Sequence, residues 1–279
     1  MKKILITGAG SYIGVSFENY LKQFDGYETE TVDMLDPEWD KKSFEGFDAV
    51  FHVAGIAHIK ETEQNRDLYY KVNRDLAVKT ADKAKNEGVK QFVFLSTMSV
   101  YGLNQGVITA ETEKNPNNAY GKSKLMAEEK ITEMRDSDFT VSVVRPPMVY
   151  GKGCKGNFNT VVKLASKSPI FPSLKNQRSM IFIDNLCEFV KQIIDNKTDG
   201  VFCPQNREYV NTTDLARKIA QNKGKKVWFS RLAGIAVIIL RPLAGVLQKA
   251  FGTLIYKDLE QHEFKYCVTD FEESVKKSL

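Results

Sequence analysis

Cysteine and histidine are scarce in this chain: four and three among 279 residues. Cys154, Cys187, Cys203 and Cys267 lack metal-ligand spacing, and His52, His58 and His262 form no cluster with them, so no metal site is expected. A long basic run is also missing. The 40 basic and 35 acidic side chains leave a formal charge of +5, which gives no footprint for nucleic acid. There is no internal repeat and no low-complexity segment. Met1-Lys2-Lys3-Ile4 starts like a signal peptide, but Gly8 and Gly10 interrupt the apolar run and no cleavage pattern follows. The expectation is a cytoplasmic protein with reduced thiols. A spanning helix needs ~20 predominantly apolar residues. Here the apolar run Leu232–Leu240 ends at Arg241-Pro242, and the next, Leu243–Ile255, contains Lys249. Packing in the core or an interface is expected for residues 232–255, with peripheral contact at a membrane surface as the alternative.

What is present is enough apolar residue, 42%, for a sizeable core. Lys3–Thr7 is a short apolar run stopped by glycines and predicts a buried strand, followed by a helix over Ile13–Phe24. Strands are predicted at Thr29–Val32, Ala49–Val53, Gln91–Leu95 and Val141–Val144, and helices at Val72–Lys85 and Tyr120–Met134. This alternation predicts βαβ units and a parallel sheet. Beyond Gly151 the pattern loosens: strands at Ile181–Ile183 and Val201–Cys203, a helix at Asn185–Ile194, and a helix to Asn222 capped by Thr212-Thr213-Asp214. The chain thus divides into a regular α/β part, residues 1–151, and a smaller irregular part, residues 152–279.

Thr7-Gly8-Ala9-Gly10-Ser11-Tyr12-Ile13-Gly14 sits between the first strand and the first helix. In that position glycines let the backbone approach a diphosphate, and helix-start amides bind it. Gly8, Gly10, Ser11, Tyr12, Ile13 and Gly14 are therefore candidate cofactor-binding residues, although Ser11 and Ile13 break the strict glycine patterns. Asp33, at the end of the second predicted strand, is placed to meet an adenosine ribose and to repel a 2′-phosphate. NAD is expected, with NADP as the alternative. On the helix predicted from Tyr120, residues four apart share a face, so Lys124 holds its ammonium near the Tyr120 phenol. A nearby positive charge lowers a phenol's pKa, which suits proton exchange with an alcohol or carbonyl.

In their order and spacing these pieces resemble the short-chain dehydrogenase/reductase superfamily, and within it the extended branch of NAD-dependent epimerases and dehydratases acting on nucleotide sugars. The resemblance runs through Thr7–Gly14, Asp48-Ala-Val-Phe-His-Val-Ala-Gly55, Asn73, Leu95-Ser-Thr-Met-Ser-Val-Tyr-Gly102, Tyr120-x-x-x-Lys124, Arg145-Pro-Pro-Met-Val-Tyr-Gly151 and Arg178-Ser-Met-Ile-Phe-Ile-Asp184. It implies a Rossmann-type doubly wound α/β sheet with a smaller irregular C-terminal substrate lobe. Tyr120 would donate and accept the proton. Lys124 would lower its pKa and hold the nicotinamide ribose. Thr97, with Ser96 as its rival, would hydrogen-bond the reacting sugar oxygen. Ala54 and Gly55 would pass along the cofactor, and Asn73 would hold active-site backbone or a water. Arg178 would contact the substrate diphosphate, where a guanidinium fork suits phosphate. A homodimer pairing the Val72–Lys85 and Tyr120–Met134 helices is also implied.

Departures narrow the reading. Met98 and Ser99 follow Thr97 where 4,6-dehydratases carry an Asp-Glu pair, which argues against dehydratase chemistry. Ser11 replaces a glycine, Met148 stands where an asparagine is frequent, and the C-terminal part is short. The expected activity is hydride transfer at C4 of a nucleotide-diphosphate sugar, as a UDP-hexose or UDP-N-acetylhexosamine 4-epimerase. The alternatives are an NAD(P)H-dependent reductase of a UDP-4-keto-6-deoxy sugar and a non-catalytic NAD(P)-binding regulator. The regulator could dispense with Tyr120, Lys124 and Thr97, all of which are present.

Overall fold

A computed structural model describes residues 1–57, 59–240, 245–259 and 263–279. His58, His262 and the Arg241-Pro242 break lie outside the described residues, as do Leu243 and Ala244 at the start of the second apolar run.

Six parallel strands form the central sheet: β1 (Lys2–Thr7), β2 (Tyr27–Val32), β3 (Ala49–His52), β4 (Gln91–Leu95), β6 (Thr140–Val144) and β10 (Gly200–Phe202). Their spatial order is β2-β1-β3-β4-β6-β10. Three small two-stranded parallel pairs flank the sheet: β5 (Gly106–Ile108) with β12 (Leu254–Tyr256), β7 (Met148–Tyr150) with β9 (Met180–Phe182), and β8 (Ile170–Pro172) with β11 (Trp228–Ser230). The central strands are apolar on both faces, because both faces are covered. Ile4, Ile6, Phe51 and Val93 point into one cluster with Phe17, Phe189 and Val190, while Leu5, Val50, Phe92 and Phe94 point into the other with Ala77, Ala81, Ala127 and Ile131. The first face is covered by α1 (Tyr12–Leu21) and α6 (Ile183–Asp195). The second is covered by α3 (Ala77–Asn86) and α4 (Ala119–Glu133). Each fully buried Phe, Leu or Val contributes about 1.5–3 kcal/mol on leaving water. This is the doubly wound α/β sheet expected.

The chain runs outward from β1 to β2, then returns past β1 to β3. The order therefore reverses between β1 and β3, and a crevice opens beyond their C-terminal ends. Between β2 and β3 there is only the 3-10 turn Trp39–Lys41, whose Trp39 joins Phe44 in the second cluster. Beyond Gly151 the chain comes back to this framework: α6 packs on α1, and β10 extends the sheet beside β6.

Three local expectations change. The predicted Val72–Lys85 helix begins earlier, at α2 (Arg66–Tyr70), and passes through a π-helical turn, Lys71–Leu76, before α3. The cap of α7 (Thr212–Asn222) is Asn211, whose side chain accepts from Thr213 N and Asp214 N at 2.8 and 3.1 Å. Thr212 and Thr213 are buried instead, with Thr212 Oγ1 donating to the Ala250 carbonyl at 2.7 Å. Finally, Leu232–Leu240 forms α8 (Arg231–Leu240) but is not core: Leu232, Ile235, Ile238, Ile239 and Leu240 are exposed, and Gly234 is its buried residue.

Candidate active site

The glycine turn leaves β1 toward α1. Gly8 N and Ala9 N both donate to the Val32 carbonyl at the end of β2, at 2.9 and 3.0 Å. Gly8 has φ +98°, and a Cβ there would stand 2.9 Å from the Ala54 backbone. Only glycine satisfies both conditions. Ser11 is the N-cap of α1, its hydroxyl accepting from Gly14 N at 3.2 Å. That role gives serine a physical reason in the turn. The Tyr12 and Ile13 amides lie in the first turn, where a helix leaves its N–H groups without intrahelical partners. The Tyr12 side chain places its buried hydroxyl against Gly151, and burial raises its pKa. Asp33 is exposed just past β2, with Oδ1 accepting from Leu35 N at 2.9 Å.

After β3 the chain passes Ala54 and Gly55. Asn73, fully buried in the π-helical turn, fixes this loop: Oδ1 accepts from Ile56 N at 2.8 Å and Nδ2 donates to Ile56 O at 3.1 Å. Nδ2 also reaches Ser123 Oγ on α4 at 3.2 Å. A Cβ on Gly55 would stand 2.9 Å from Asn73 Oδ1 and 3.3 Å from Lys124 Nζ, so the lysine head presses against this same loop.

The start of α4 is held by two caps, Asn118 Oδ1 on Gly121 N and Glu61 Oε2 on Ala119 N, each at 2.8 Å. Gly121 lets the helix approach the neighbouring 3-10 turn, Met98–Tyr101: a Cβ there would meet the Ser99 carbonyl at 2.6 Å. Thr97 caps that turn, its Oγ1 accepting from Ser99 N at 3.1 Å. The approach brings Tyr120 beside Thr97. Burial raises the Tyr120 pKa, the Thr97 hydroxyl lowers it by hydrogen bonding, and Tyr69, edge-on at 6.5 Å, raises it. Lys124 donates to the Leu95 carbonyl at 2.8 Å and lies 4.6 Å from the Phe94 ring centroid. Burial pulls its pKa down to about 8, opposed by Glu128. In this structure the lysine thus faces the Leu95 carbonyl and Gly55 rather than acting chiefly on the phenol.

Two features were not read from the sequence. Glu128 follows Lys124 by one helical turn and forms a buried ion pair with Arg145, whose Nε is 3.1 Å from both carboxylate oxygens. Ser96 Oγ donates to Glu128 Oε1, and Arg145 Nη1 donates to Tyr101 Oη at 2.9 Å. Ser96 is therefore committed to this network, which leaves Thr97 as the hydroxyl facing Tyr120. An acid at i+8 from the tyrosine on the same helix face was the available signal. Tyr69, donating to the Ile59 carbonyl at 2.6 Å, is the other.

Arg178 is buried, not a surface charge. Its Nη1 donates to the Gly252 carbonyl at 2.9 Å, while Nε has no partner. Burial lowers its pKa to about 10. A buried cation with an open donor is a natural anion site.

His52 belongs to the core. It is fully buried, Nδ1 lies 2.8 Å from Thr7 Oγ1, and the ring stacks on Phe92 and Phe94. Burial, then the nearby Lys124 charge, drives its pKa from an ordinary 6.5 to about 3. Between those values the unfolded chain holds a proton that the folded one does not, so stability falls as pH drops through this window. Unfolding midpoints in urea should show His52→Gln losing less stability than the parent on acidification, by about 1.4 kcal/mol per pH unit. Equal slopes in the two proteins would exclude this role.

The family model described as "NAD dependent epimerase/dehydratase family" matches residues 4–203. The chain belongs to the NAD dependent epimerase/dehydratase family. Members similar to it include the UDP-glucose 4-epimerase of Vibrio cholerae, 29% identical with 88% of this chain and 87% of that protein covered. Another is the N-acetyl-alpha-D-glucosaminyl-diphospho-ditrans,octacis-undecaprenol 4-epimerase of Escherichia coli O157:H7, 27% identical over 80% of this chain and 73% of that one. In fold the chain is similar to UDP-glucuronic acid 4-epimerase from Bacillus cereus, solved in complex with NAD: TM-score 0.77, 18% identity, 99% of this chain and 95% of that chain covered. This family member has the elements that an NAD cradle needs. The turn opens space beside Gly10, first-turn amides of α1 suit a diphosphate, an ammonium stands at Gly55 and a carboxylate ends β2.

Proposed function

We propose that this protein is an NAD-dependent 4-epimerase of a diphospho-sugar, with UDP-hexoses or UDP-N-acetylhexosamines as substrates. The observation that carries the reading is Tyr120 beside Thr97 just past β4, with Lys124 of the same helix reaching the Leu95 carbonyl at the end of β4 and Gly55 in the loop after β3. A bound nicotinamide supplies reversible acceptance of a hydride from C4. Tyr120 takes the proton of the 4-hydroxyl and returns it when the 4-keto group is reduced. Thr97 donates a hydrogen bond to the same oxygen, where charge develops. Lys124, at Gly55, holds the nicotinamide ribose, and its ammonium then favours the phenolate against burial. Asp33 receives the adenosine ribose and repels a 2′-phosphate, which favours NAD over NADP.

Arg178 holds the substrate diphosphate within a lobe built from residues 152–279. The Asp-Glu pair that 4,6-dehydratases carry has no counterpart at Met98 and Ser99, so water is not eliminated. The helices α2–α3 and α4 supply the homodimer contact in the same reading.

Incubation with UDP-glucose, UDP-N-acetylglucosamine and a UDP-4-keto-6-deoxy sugar, with and without reduced cofactor, tests the proposal. Interconversion of the C4 epimers with no net change in nicotinamide absorbance is expected. Stoichiometric oxidation of added cofactor by the keto sugar, with no epimer formed, would make the protein a reductase instead.

A further inference from the structure

Helix α8 reverses the arrangement of an ordinary surface helix. Its inner edge is Gly234, where a Cβ would stand 2.1 Å from the Ser173 carbonyl, flanked by the partly covered Ala233 and Val237. The opposite side carries Leu232, Ile235, Ala236 and Ile239, an i, i+3, i+4, i+7 stripe that is apolar and faces solvent. Leu232 is 79% exposed, Ile239 67% and Ile235 53%, and Trp228 just before the helix is 68% exposed. A contiguous apolar face of this kind marks a contact surface.

Charge identifies what it contacts. Between Asp214 and Asp258 the chain carries nine Lys and Arg and no Asp or Glu. Lys223, Lys225, Lys226 and Arg231 are exposed at the Trp228 end of the helix. Lys249 is exposed on α9 (Gly245–Phe251). A second copy of this chain would set this basic rim against itself. An anionic bilayer complements it: aliphatic side chains enter the boundary of headgroups and acyl chains, tryptophan sits at headgroup level, and Lys and Arg meet the lipid charge. Among the described residues no helix is long and apolar enough to cross a membrane, so α8 would lie on the surface.

We propose that α8, with Trp228 and its basic rim, docks this protein peripherally on anionic lipid membranes. The docking element is tied to the candidate anion site. Immediately after α9 comes Gly252, whose carbonyl receives the Arg178 hydrogen bond. The inference is independent of the reaction proposed above, because its readout is binding.

Sedimentation of the full chain with phosphatidylcholine vesicles, with and without phosphatidylglycerol, is the test. Binding to the mixed vesicles is expected, weakening as salt screens the charges. Lys225→Gln with Lys226→Gln should weaken it about fivefold per charge removed. Leu232→Glu with Ile239→Glu should abolish it, while Leu35→Glu, at a 91% exposed site on the β2 loop, should bind like the parent. Circular dichroism checks that the variants fold, and the lysine pair still decides if the glutamate pair does not. The proposal is overturned if the parent stays in the supernatant with mixed vesicles. It is overturned equally if the glutamate pair sediments unchanged, or if light scattering shows this face buried in a dimer that binds no vesicles.

Discussion

Tyr120→Phe is expected to lower turnover by about 10²–10⁴-fold, the usual contribution of a positioned acid–base group. NAD binding, followed by protein fluorescence, should stay close to that of the parent. The substitution removes one oxygen and keeps the ring, so the edge-on contact with Tyr69 at 6.5 Å is retained. The cradle elements at Gly8, Asn73 and Lys124 are untouched. Loss of cofactor binding together with turnover would point to a structural role for the hydroxyl. Near-normal turnover would rule out Tyr120 as the proton carrier.

The second large effect is on stability. Arg145→Met should destabilise the fold by about 3–5 kcal/mol, because it leaves the Glu128 carboxylate buried without its cation. Arg145 and Glu128 are 6% and 3% exposed, so solvent cannot replace the lost partner. Tyr101 would lose the hydrogen bond it accepts from Nη1. Replacing both charges, Arg145→Met with Glu128→Met, should recover much of the loss, since a buried ion pair exchanged for packed apolar groups is often neutral or better. Urea midpoints of the two single variants and the double variant form the cycle. Full additivity would show that the two residues do not act as a pair.

These two predictions draw on different levels of information. Tyr120 and Lys124 are legible from spacing, because a helix puts i and i+4 on one face whatever surrounds it. The parallel sheet is legible for a similar reason: short apolar runs alternating with helix-period segments leave few ways to bury both faces. The glycine turn could be placed because it follows the first such run. Glu128 and Arg145 were not paired in advance. One lies on a helix and the other at the end of β6, and their meeting depends on how α4 crosses the sheet. Ser96 and Thr97 are adjacent in sequence and chemically alike. They are distinguished by direction: one hydroxyl turns to Glu128, the other toward Tyr120.

The same division holds at the surface. Composition marks Leu232–Leu240 as an apolar run but carries no sign of which side of the helix it forms faces the protein. That is decided at Gly234, where the missing Cβ lets the helix lie on the Ser173 backbone and leaves the larger side chains outward. The sequence by itself determined the strand and helix alternation, the phosphate-type turn and the Tyr120–Lys124 face, since these follow from local geometry and short-range pattern. Tertiary structure alone decided that Arg178 is buried with an open donor, that Lys124 meets the Leu95 carbonyl, and that α8 faces outward. Each depends on contacts between segments far apart in the chain, and burial, which sets charge state and hydrogen-bonding demand, exists only once those segments meet.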